Sequence, residues 1–176
     1  MVSDEKKLEN LRVMQFNLLS SGKHGRRHPW TRRREGVVEL FDRLRPDIVG
    51  TQEANLEQLQ ELARALPDYA YVGEGNLGPW RAHDRRSWYC AIFYRKDALR
   101  RVAGAGDTFW LSPRPQDPAS RYRLGTRPRL ATWTTFVHGA TGRRLVFGTT
   151  HLEAANPAHR RRSASLLSAY ITRKVH

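Results

Sequence analysis

The sequence predicts an α+β fold in which helices pack outside a layered β-sandwich of short, mostly antiparallel strands. Three observations lead to this prediction. Short apolar runs bounded by polar or turn-forming residues recur along the chain, as at residues 11–16 and 47–52. Residues 30–44 instead carry apolar side chains at helical spacing. Residues 130–152 have the pattern of two strands joined by a Gly-containing turn.

The first half of the domain is predicted to alternate strands with amphipathic helices. A proline after each helix, at positions 46 and 67, ends it because the residue before a proline disfavours the helical conformation. The predicted elements are a strand over residues 11–16, a helix over 30–44, a strand over 47–52, a helix beginning at Asn55, a strand over 69–72, a Gly-rich loop over 73–88 and a strand over 87–94.

The second half is predicted to be mainly strands, closed by one helix. Asn156 and Pro157 pair a capping side chain with a proline in the first helical turn. The predicted elements are a short strand over residues 108–111, a Pro- and Arg-rich loop over 112–127, strands over 130–137 and 145–152 around a turn at 138–142, and a helix from 157 to the C-terminus.

The length of 176 residues fits one domain over residues 11–176, preceded by a polar extension at residues 1–10. No apolar run reaches the roughly 18 residues that cross a membrane, so no transmembrane segment is expected. The extension has no apolar core of a signal peptide, which predicts a cytoplasmic protein, with export of a processed precursor left open. The single cysteine, Cys90, has no partner for a disulfide and is expected in the core.

The net charge of +14 predicts attraction to polyanions such as nucleic acid, phospholipid headgroups or phosphate esters. The alternative is a generally solvated basic surface, because the arginines form several separate clusters rather than one tail. These clusters are at residues 32–34, 85–86 and 160–162.

Four polar residues share one kind of position, at or near the end of a predicted strand: Asn17, Glu53, Arg129 and His151. Strands of one sandwich can bring their ends to a common edge, where these side chains would meet. Each residue also has an ordinary explanation. Glu53 could cap the following helix, and Asn17 could make a turn. Arg129 could be one more surface arginine, and His151 could be a satisfied core histidine.

Together the four residues suit phosphoester hydrolysis. A hard divalent cation such as Mg²⁺ takes oxygen ligands. Glu53 can supply one, and Asn17 can add a neutral oxygen or orient a ligand. His151 and Arg129 can donate hydrogen bonds to phosphate oxygens as negative charge develops on them. The cation would polarise the phosphoryl group and orient the attacking hydroxide.

Six segments, in this order, resemble the endonuclease/exonuclease/phosphatase family with the DNase I-like fold, and the likeness extends from Leu11 onward. The most specific parts are Asp-Ile-Val-Gly-Thr-Gln-Glu, which ends at Glu53, and Thr-His-Leu around His151. The segments are residues 13–18, 46–53, 91–95, 108–112, 128–133 and 150–152.

The resemblance implies a four-layered α/β sandwich with its active site at one edge of two packed sheets. By position, Glu53 matches the family's glutamate that binds Mg²⁺ or Mn²⁺, and Asn17 matches the asparagine beside it. His151 matches the histidine that contacts the scissile phosphate. Arg129 lies where members often place a phosphate-contacting arginine.

The family also carries an Asp-x-Asn motif and a later Asp-His pair, and neither is found in this sequence. The resemblance therefore implies an incomplete sandwich without its C-terminal strands, which would lack a catalytic base and a metal ligand. Exposed sheet edges would then favour self-association. Three functions stay open at this stage: a metal-dependent phosphoesterase acting on a phosphate ester, a non-catalytic module that binds polyanions such as nucleic acid, and an inactive fragment.

Overall fold

The computed structural model describes residues 10–21 and 27–175, so most of the predicted polar extension lies outside the described residues. The described part forms seven strands and three α-helices. The strands are β1 (Val13–Asn17), β2 (Ile48–Ala54), β3 (Tyr69–Gly75), β4 (Tyr89–Arg95), β5 (Leu99–Trp110), β6 (Leu130–His138) and β7 (Arg144–Thr150). The helices are α1 (Trp30–Leu44), α2 (Leu56–Ala65) and α3 (Pro157–Val175).

The strands form two sheets, with the order β1-β2-β4-β3 in the first and β5-β6-β7 in the second. β1 runs parallel to β2, and the other pairs are antiparallel. Between the sheets, Ile48 and Ile92 of the first sheet belong to the same buried cluster as Leu99 and Phe136 of the second. This cluster is the contact that joins the two sheets into a sandwich.

Helices cover both outer faces of the sandwich. On the first sheet, Phe41 of α1 and Leu62 of α2 are fully buried in one cluster with Phe93 of β4. On the second sheet, Leu167 and Tyr170 of α3 pack against a cluster built on strands β5 and β6. The order of layers is therefore helix, sheet, sheet, helix, which confirms the four-layered α/β sandwich.

The strand predicted at residues 108–111 is wrong in length, because β5 begins at Leu99 and ends at Trp110. Arginines and glycines interrupt the alternation of apolar side chains in its first part, and this hides the strand in the sequence. The register with β6 also shifts between Arg101 and Gly106. At Gly106 a Cβ atom would lie 2.5 Å from the Thr134 hydroxyl, so this irregular pairing requires glycine.

β3 likewise extends through residues that were predicted to be loop, reaching Gly75 instead of ending at residue 72. Gly73 has a φ of +142°, and a Cβ atom there would lie 2.5 Å from the Cys90 carbonyl oxygen. Close approach of two strands therefore explains a glycine that looked like a loop residue. Cys90 is buried as predicted, and burial raises the pKa of its thiol to about 12.

Within the described residues, β1 and β7 each pair with a neighbour on one side only. Val13 on β1 and Val146 on β7 are 55% and 46% exposed, so both strands present apolar side chains to solvent. Self-association, which we expect to occur through these edges, stays a prediction. None of the helices in the described part of the chain has both the length and the apolar character needed to cross a membrane.

Candidate active site

The topology brings the four strand-end residues to one edge of the sandwich. Asn17 is the last residue of β1, and Glu53 is next to last in the parallel strand β2. His151 follows the last residue of β7, while Arg129 precedes the first residue of its antiparallel neighbour β6. An antiparallel pair places the start of one strand beside the end of the other, so all four residues reach the same side of the two sheets.

A polar contact fixes the two sheets to each other directly behind this edge. The side-chain amide of Gln52 donates to the hydroxyl of Thr149 on β7 over 2.8 Å and to the side-chain oxygen of Gln15 on β1 over 2.9 Å. Gln52 immediately precedes Glu53, and Thr149 lies two residues before His151. The contact therefore sets the spacing between the carboxylate of one sheet and the imidazole of the other.

Glu53 does not follow the end of its strand, as the sequence suggested, but lies inside β2 at an irregularity. The register between β2 and β4 shifts between Thr51 and Ala54, and Glu53 has a φ of +66°. A non-glycine residue in this left-handed region is strained, and such strain clusters at functional sites. Helix α2 has a different cap, because the side chain of Asn55 accepts from the backbone N–H of Gln58. The interpretation of Glu53 as the helix cap is therefore wrong.

The strain at Glu53 leads to a prediction about stability. Glu53→Gly and Glu53→Ala both remove the carboxylate, but only glycine adopts a positive φ without steric cost. We expect the glycine variant to be more stable to unfolding than the alanine variant by about 1–2 kcal/mol. Chemical denaturation of both variants measures this difference. Equal stability of the two variants would show that residue 53 is not held in the left-handed conformation in solution.

The carboxylate of Glu53 is oriented by its neighbours through one oxygen. The side-chain N–H of Asn17 donates to Glu53 Oε1 over 3.0 Å, and His151 Nε2 lies 3.6 Å from the same oxygen. The Asn17 oxygen in turn accepts from the backbone N–H of Leu19 over 2.9 Å, which fixes the orientation of the amide. In the described part of the chain no hydrogen bond reaches Glu53 Oε2, so this oxygen faces the site without a protein partner.

This arrangement fits a divalent cation that takes few ligands from the protein. Mg²⁺ is commonly held by one or two carboxylates, with water and substrate phosphate oxygens completing its shell. Glu53 Oε2 can provide such a carboxylate ligand. The described residues contain no group of three or more His, Cys, Asp or Glu side chains able to hold a metal ion. Asn17 donates to Glu53, which fits the orienting role that the sequence allowed for it, and its role as a metal ligand stays a prediction.

His151 is held between Glu53 and an aromatic ring. The indole of Trp88 stacks on the imidazole with ring centroids 6.2 Å apart and an angle of 15° between the planes. Burial lowers the pKa of His151, and the charge of Arg129 lowers it further, while Glu53 opposes both effects. The imidazole is therefore neutral at pH 7 and offers one N–H donor.

Arg129 reaches the same site, but it is paired with an acid. Its Nε donates to Glu153 Oε2 over 3.2 Å, and the two side chains are only 13% and 15% exposed. Burial alone would raise the pKa of Glu153, but the backbone N–H of Ala155 and the Arg129 guanidinium outweigh it, so the pKa is lowered. Arg129 thus lies in a fixed position, and a carboxylate balances part of its charge.

Several residues of the site were missed from the sequence. Glu153 pairs with Arg129, and the Arg127 guanidinium lies 3.6 Å from the centre of the Trp88 ring. The Asn76 side chain donates to the carbonyl of Pro128 and accepts from the N–H of Trp88, both over 2.9 Å. Asn76 therefore ties together the two loops that supply this stack. The only sequence signal was the mixture of Trp and Arg before residue 88.

Comparisons with known proteins place this fold in a family. The model of the endonuclease/exonuclease/phosphatase family matches residues 14–173. A mannosyl-6-phosphatase from Bacteroides thetaiotaomicron is 30% identical with a TM-score of 0.82, and the match covers 93% of this chain and 60% of that one. An endonuclease/exonuclease/phosphatase from Bacteroides vulgatus is 29% identical with a TM-score of 0.83, covering 94% and 61%.

A more distant similarity supports the fold alone. A TDP2 protein from D. rerio, solved with a single strand DNA product, is 16% identical with a TM-score of 0.64, and the match covers 94% of this chain and 54% of that one. A search among curated proteins gave no match. The chain spans about 60% of the length of the Bacteroides structures that it resembles.

Proposed function

Because the chain belongs to the endonuclease/exonuclease/phosphatase family, we propose that its protein hydrolyses a phosphoester with a divalent cation, Mg²⁺ or Mn²⁺, bound at Glu53. The observation that carries this proposal is the meeting of Asn17, Glu53 and His151 at one edge of the two sheets. The mannosyl-6-phosphatase, at 30% identity, supports a phosphate ester as the substrate class.

Each residue of the site has a separate role in this proposal. Asn17 holds the Glu53 carboxylate so that Oε2 is presented to the cation. The cation, when bound, neutralises charge on the phosphoryl oxygens and lowers the pKa of a water that it holds. The N–H of the neutral His151 donates to a phosphoryl oxygen, and this bond strengthens as negative charge develops. Trp88 keeps the imidazole in the required plane.

Arg129 has a supporting role. Its Nε–H donates to Glu153, but a guanidinium carries five N–H donors, so the remaining N–H groups can point toward phosphate. The ion pair with Glu153 fixes where they point, and a fixed donor loses less freedom when the substrate binds. We infer that Glu153 positions Arg129 and does not itself contact the reacting atoms.

The experiment that tests the proposed function compares hydrolysis with and without divalent cations. Hydrolysis of p-nitrophenyl phosphate, bis(p-nitrophenyl) phosphate and mannose 6-phosphate is expected in Mg²⁺ or Mn²⁺ and is expected to fall to background in EDTA. Restoring the cation should restore the rate. Equal rates in EDTA and in Mg²⁺ would rule out the metal mechanism.

The second candidate function is a module that binds polyanions without hydrolysing them, and the net charge of +14 favours it. Such a module would bind an oligonucleotide in EDTA and would show no turnover with any of the three esters in Mg²⁺ or Mn²⁺. Its affinity would fall steeply as the salt concentration rises, since binding would depend on release of counterions.

A further inference from the structure

A pocket lined by four arginines lies beside the candidate active site. It is open to solvent, has a volume of about 360 Å³, and is formed by the loops around residues 77–86 and 121–128. Its volume falls within the range of about 300–1,000 Å³ that is typical of small-molecule sites. We call it the arginine pocket, and its charged lining residues are Arg81, Arg86, Arg121 and Arg127.

These arginines are held in fixed positions. Asp84 pairs with Arg81 and accepts from both Nε and Nη2 of Arg86, over 3.1 and 2.9 Å. Arg121 donates to the carbonyl of Thr126 over 3.2 Å, and Arg127 donates to the carbonyl of Arg86 over 2.7 Å. Backbone acceptors and one carboxylate thus order the pocket while most guanidinium N–H groups stay available, which lowers the entropic cost of binding an anion.

The charge of the pocket differs from that of the groove between α1 and α2. Asp84 is the acid that balances the four arginines, so the pocket has an excess of positive charge. The groove between α1 and α2 provides a comparison, because Arg34 and Arg64 there lie with three glutamates, at positions 35, 39 and 61. The groove therefore has no excess of positive charge, whereas the arginine pocket does.

A stack of side chains connects the pocket to the site. The Arg127 guanidinium lies 3.6 Å from the Trp88 ring centre, and Trp88 stacks on His151 with centroids 6.2 Å apart. Arg127 therefore belongs both to the arginine pocket and to the wall behind His151. A substrate whose scissile phosphate contacts His151 would place a neighbouring group near the pocket.

We propose that the arginine pocket binds a second phosphate group of the substrate, next to the one that is hydrolysed. Guanidinium groups bind phosphate oxygens through paired hydrogen bonds, and two or more of them can contact one phosphate. This inference rests on the proposed function in that it assigns the second phosphate to the same substrate. The chemical class is a phosphate ester with at least two phosphates.

Two sources could supply this second phosphate, a single-stranded oligonucleotide or a small bisphosphate, and Trp80 distinguishes them. Trp80 is 70% exposed and lies between Leu77 and Arg81, two residues that line the pocket, so this wall of the pocket carries an aromatic ring open to solvent. Nucleic-acid bases stack on exposed aromatic rings, whereas a sugar bisphosphate has no base to stack. Trp80→Ala should therefore weaken binding of an oligonucleotide and leave binding of a bisphosphate unchanged.

The test measures binding in EDTA, so that it does not depend on catalysis. The double variant Arg86→Ala/Arg121→Ala is compared with Arg34→Ala/Arg64→Ala, which removes the same charge from the groove between α1 and α2. The probes are a labelled single-stranded oligonucleotide of eight nucleotides and fructose 1,6-bisphosphate. Fructose 6-phosphate, which carries one phosphate, is the control for the bisphosphate. Circular dichroism and thermal unfolding of each variant check that the fold is retained. If Arg86→Ala/Arg121→Ala does not fold, the milder pair Arg86→Gln/Arg121→Gln replaces it.

We expect the pocket variant to bind at least one of the two probes that carry several phosphates, the oligonucleotide or the bisphosphate, about tenfold or more weakly, while the groove variant changes less than about twofold. With the oligonucleotide, the slope of log affinity against log salt should also decrease by about 1.4 for the two arginines lost. Fructose 6-phosphate should be affected much less than the bisphosphate. Equal effects of the two double variants on both probes would overturn the proposal.

The outcome can be separated from that of the proposed function. If hydrolysis fails but the pocket variant still weakens binding selectively, the subsite stands and the catalytic proposal is wrong. If hydrolysis is metal-dependent but the two double variants behave alike, the subsite is wrong and the catalytic proposal stands.

Discussion

Glu53→Gln is expected to reduce metal-dependent phosphoester hydrolysis by about 10³-fold or more. Glutamine keeps the size of the side chain and can still accept from Asn17, which lies 3.0 Å from Glu53 Oε1. It removes the negative charge, however, and with it the carboxylate that the described residues offer to a cation at this edge. The loss should therefore come from weaker metal binding and not from altered packing.

Two measurements make this prediction specific. Binding of Mn²⁺, followed by electron paramagnetic resonance, should weaken at least about tenfold in Glu53→Gln if Glu53 is a ligand. The matched control is Glu57→Gln on α2, because its side chain is 52% exposed and pairs with Arg85 at the surface. That variant should keep both metal binding and rate. Normal Mn²⁺ binding by Glu53→Gln would contradict the assignment of Glu53 as the metal ligand.

The sequence could predict Glu53 but not its geometry. The apolar run that ends at Glu53 is visible in the sequence. The boundaries of helix α1 were likewise predicted to the residue. The register shift in β2 and the positive φ of Glu53 depend on how β2 pairs with β4, and no local pattern records that pairing. The same limit applies to β5, where the partner strand decides how far pairing continues through a stretch rich in arginine and glycine.

Contacts between residues far apart in the chain were also hidden. Arg129 pairs with Glu153 beside the adjoining ends of β6 and β7 in the second sheet. Trp88, just before β4 of the first sheet, stacks on His151, just after β7 of the second, so this contact depends on the packing of the two sheets. The convergence of Asn17, Glu53 and His151 was predictable because each follows a strand pattern and strand ends share an edge. The side chains that orient them come from irregular segments, where sequence spacing does not indicate direction.

His151→Ala is expected to reduce hydrolysis by about 10²–10⁴-fold, because it removes an N–H donor from the phosphate and the ring on which Trp88 stacks. His151→Asn should lose less, since its amide can still donate. His138→Ala, at the last residue of β6, serves as the control and should keep the rate. An equal loss in the alanine and asparagine variants would mean that the imidazole does more than donate a hydrogen bond.

The same residue should make the stability of the protein depend on pH. Burial, followed by the charge of Arg129, lowers the pKa of His151 below its ordinary value of 6.5 in the folded state. The unfolded chain therefore binds a proton more readily, and stability must rise with pH wherever the unfolded state holds more protons. The contribution of His151 is complete above pH 6.5 and is lost as the pH falls from 6.5 through the lowered pKa. Urea denaturation between pH 5 and 8 should show this loss in the unsubstituted protein and a flatter profile in His151→Asn, whereas an unchanged profile would place the titration in another group.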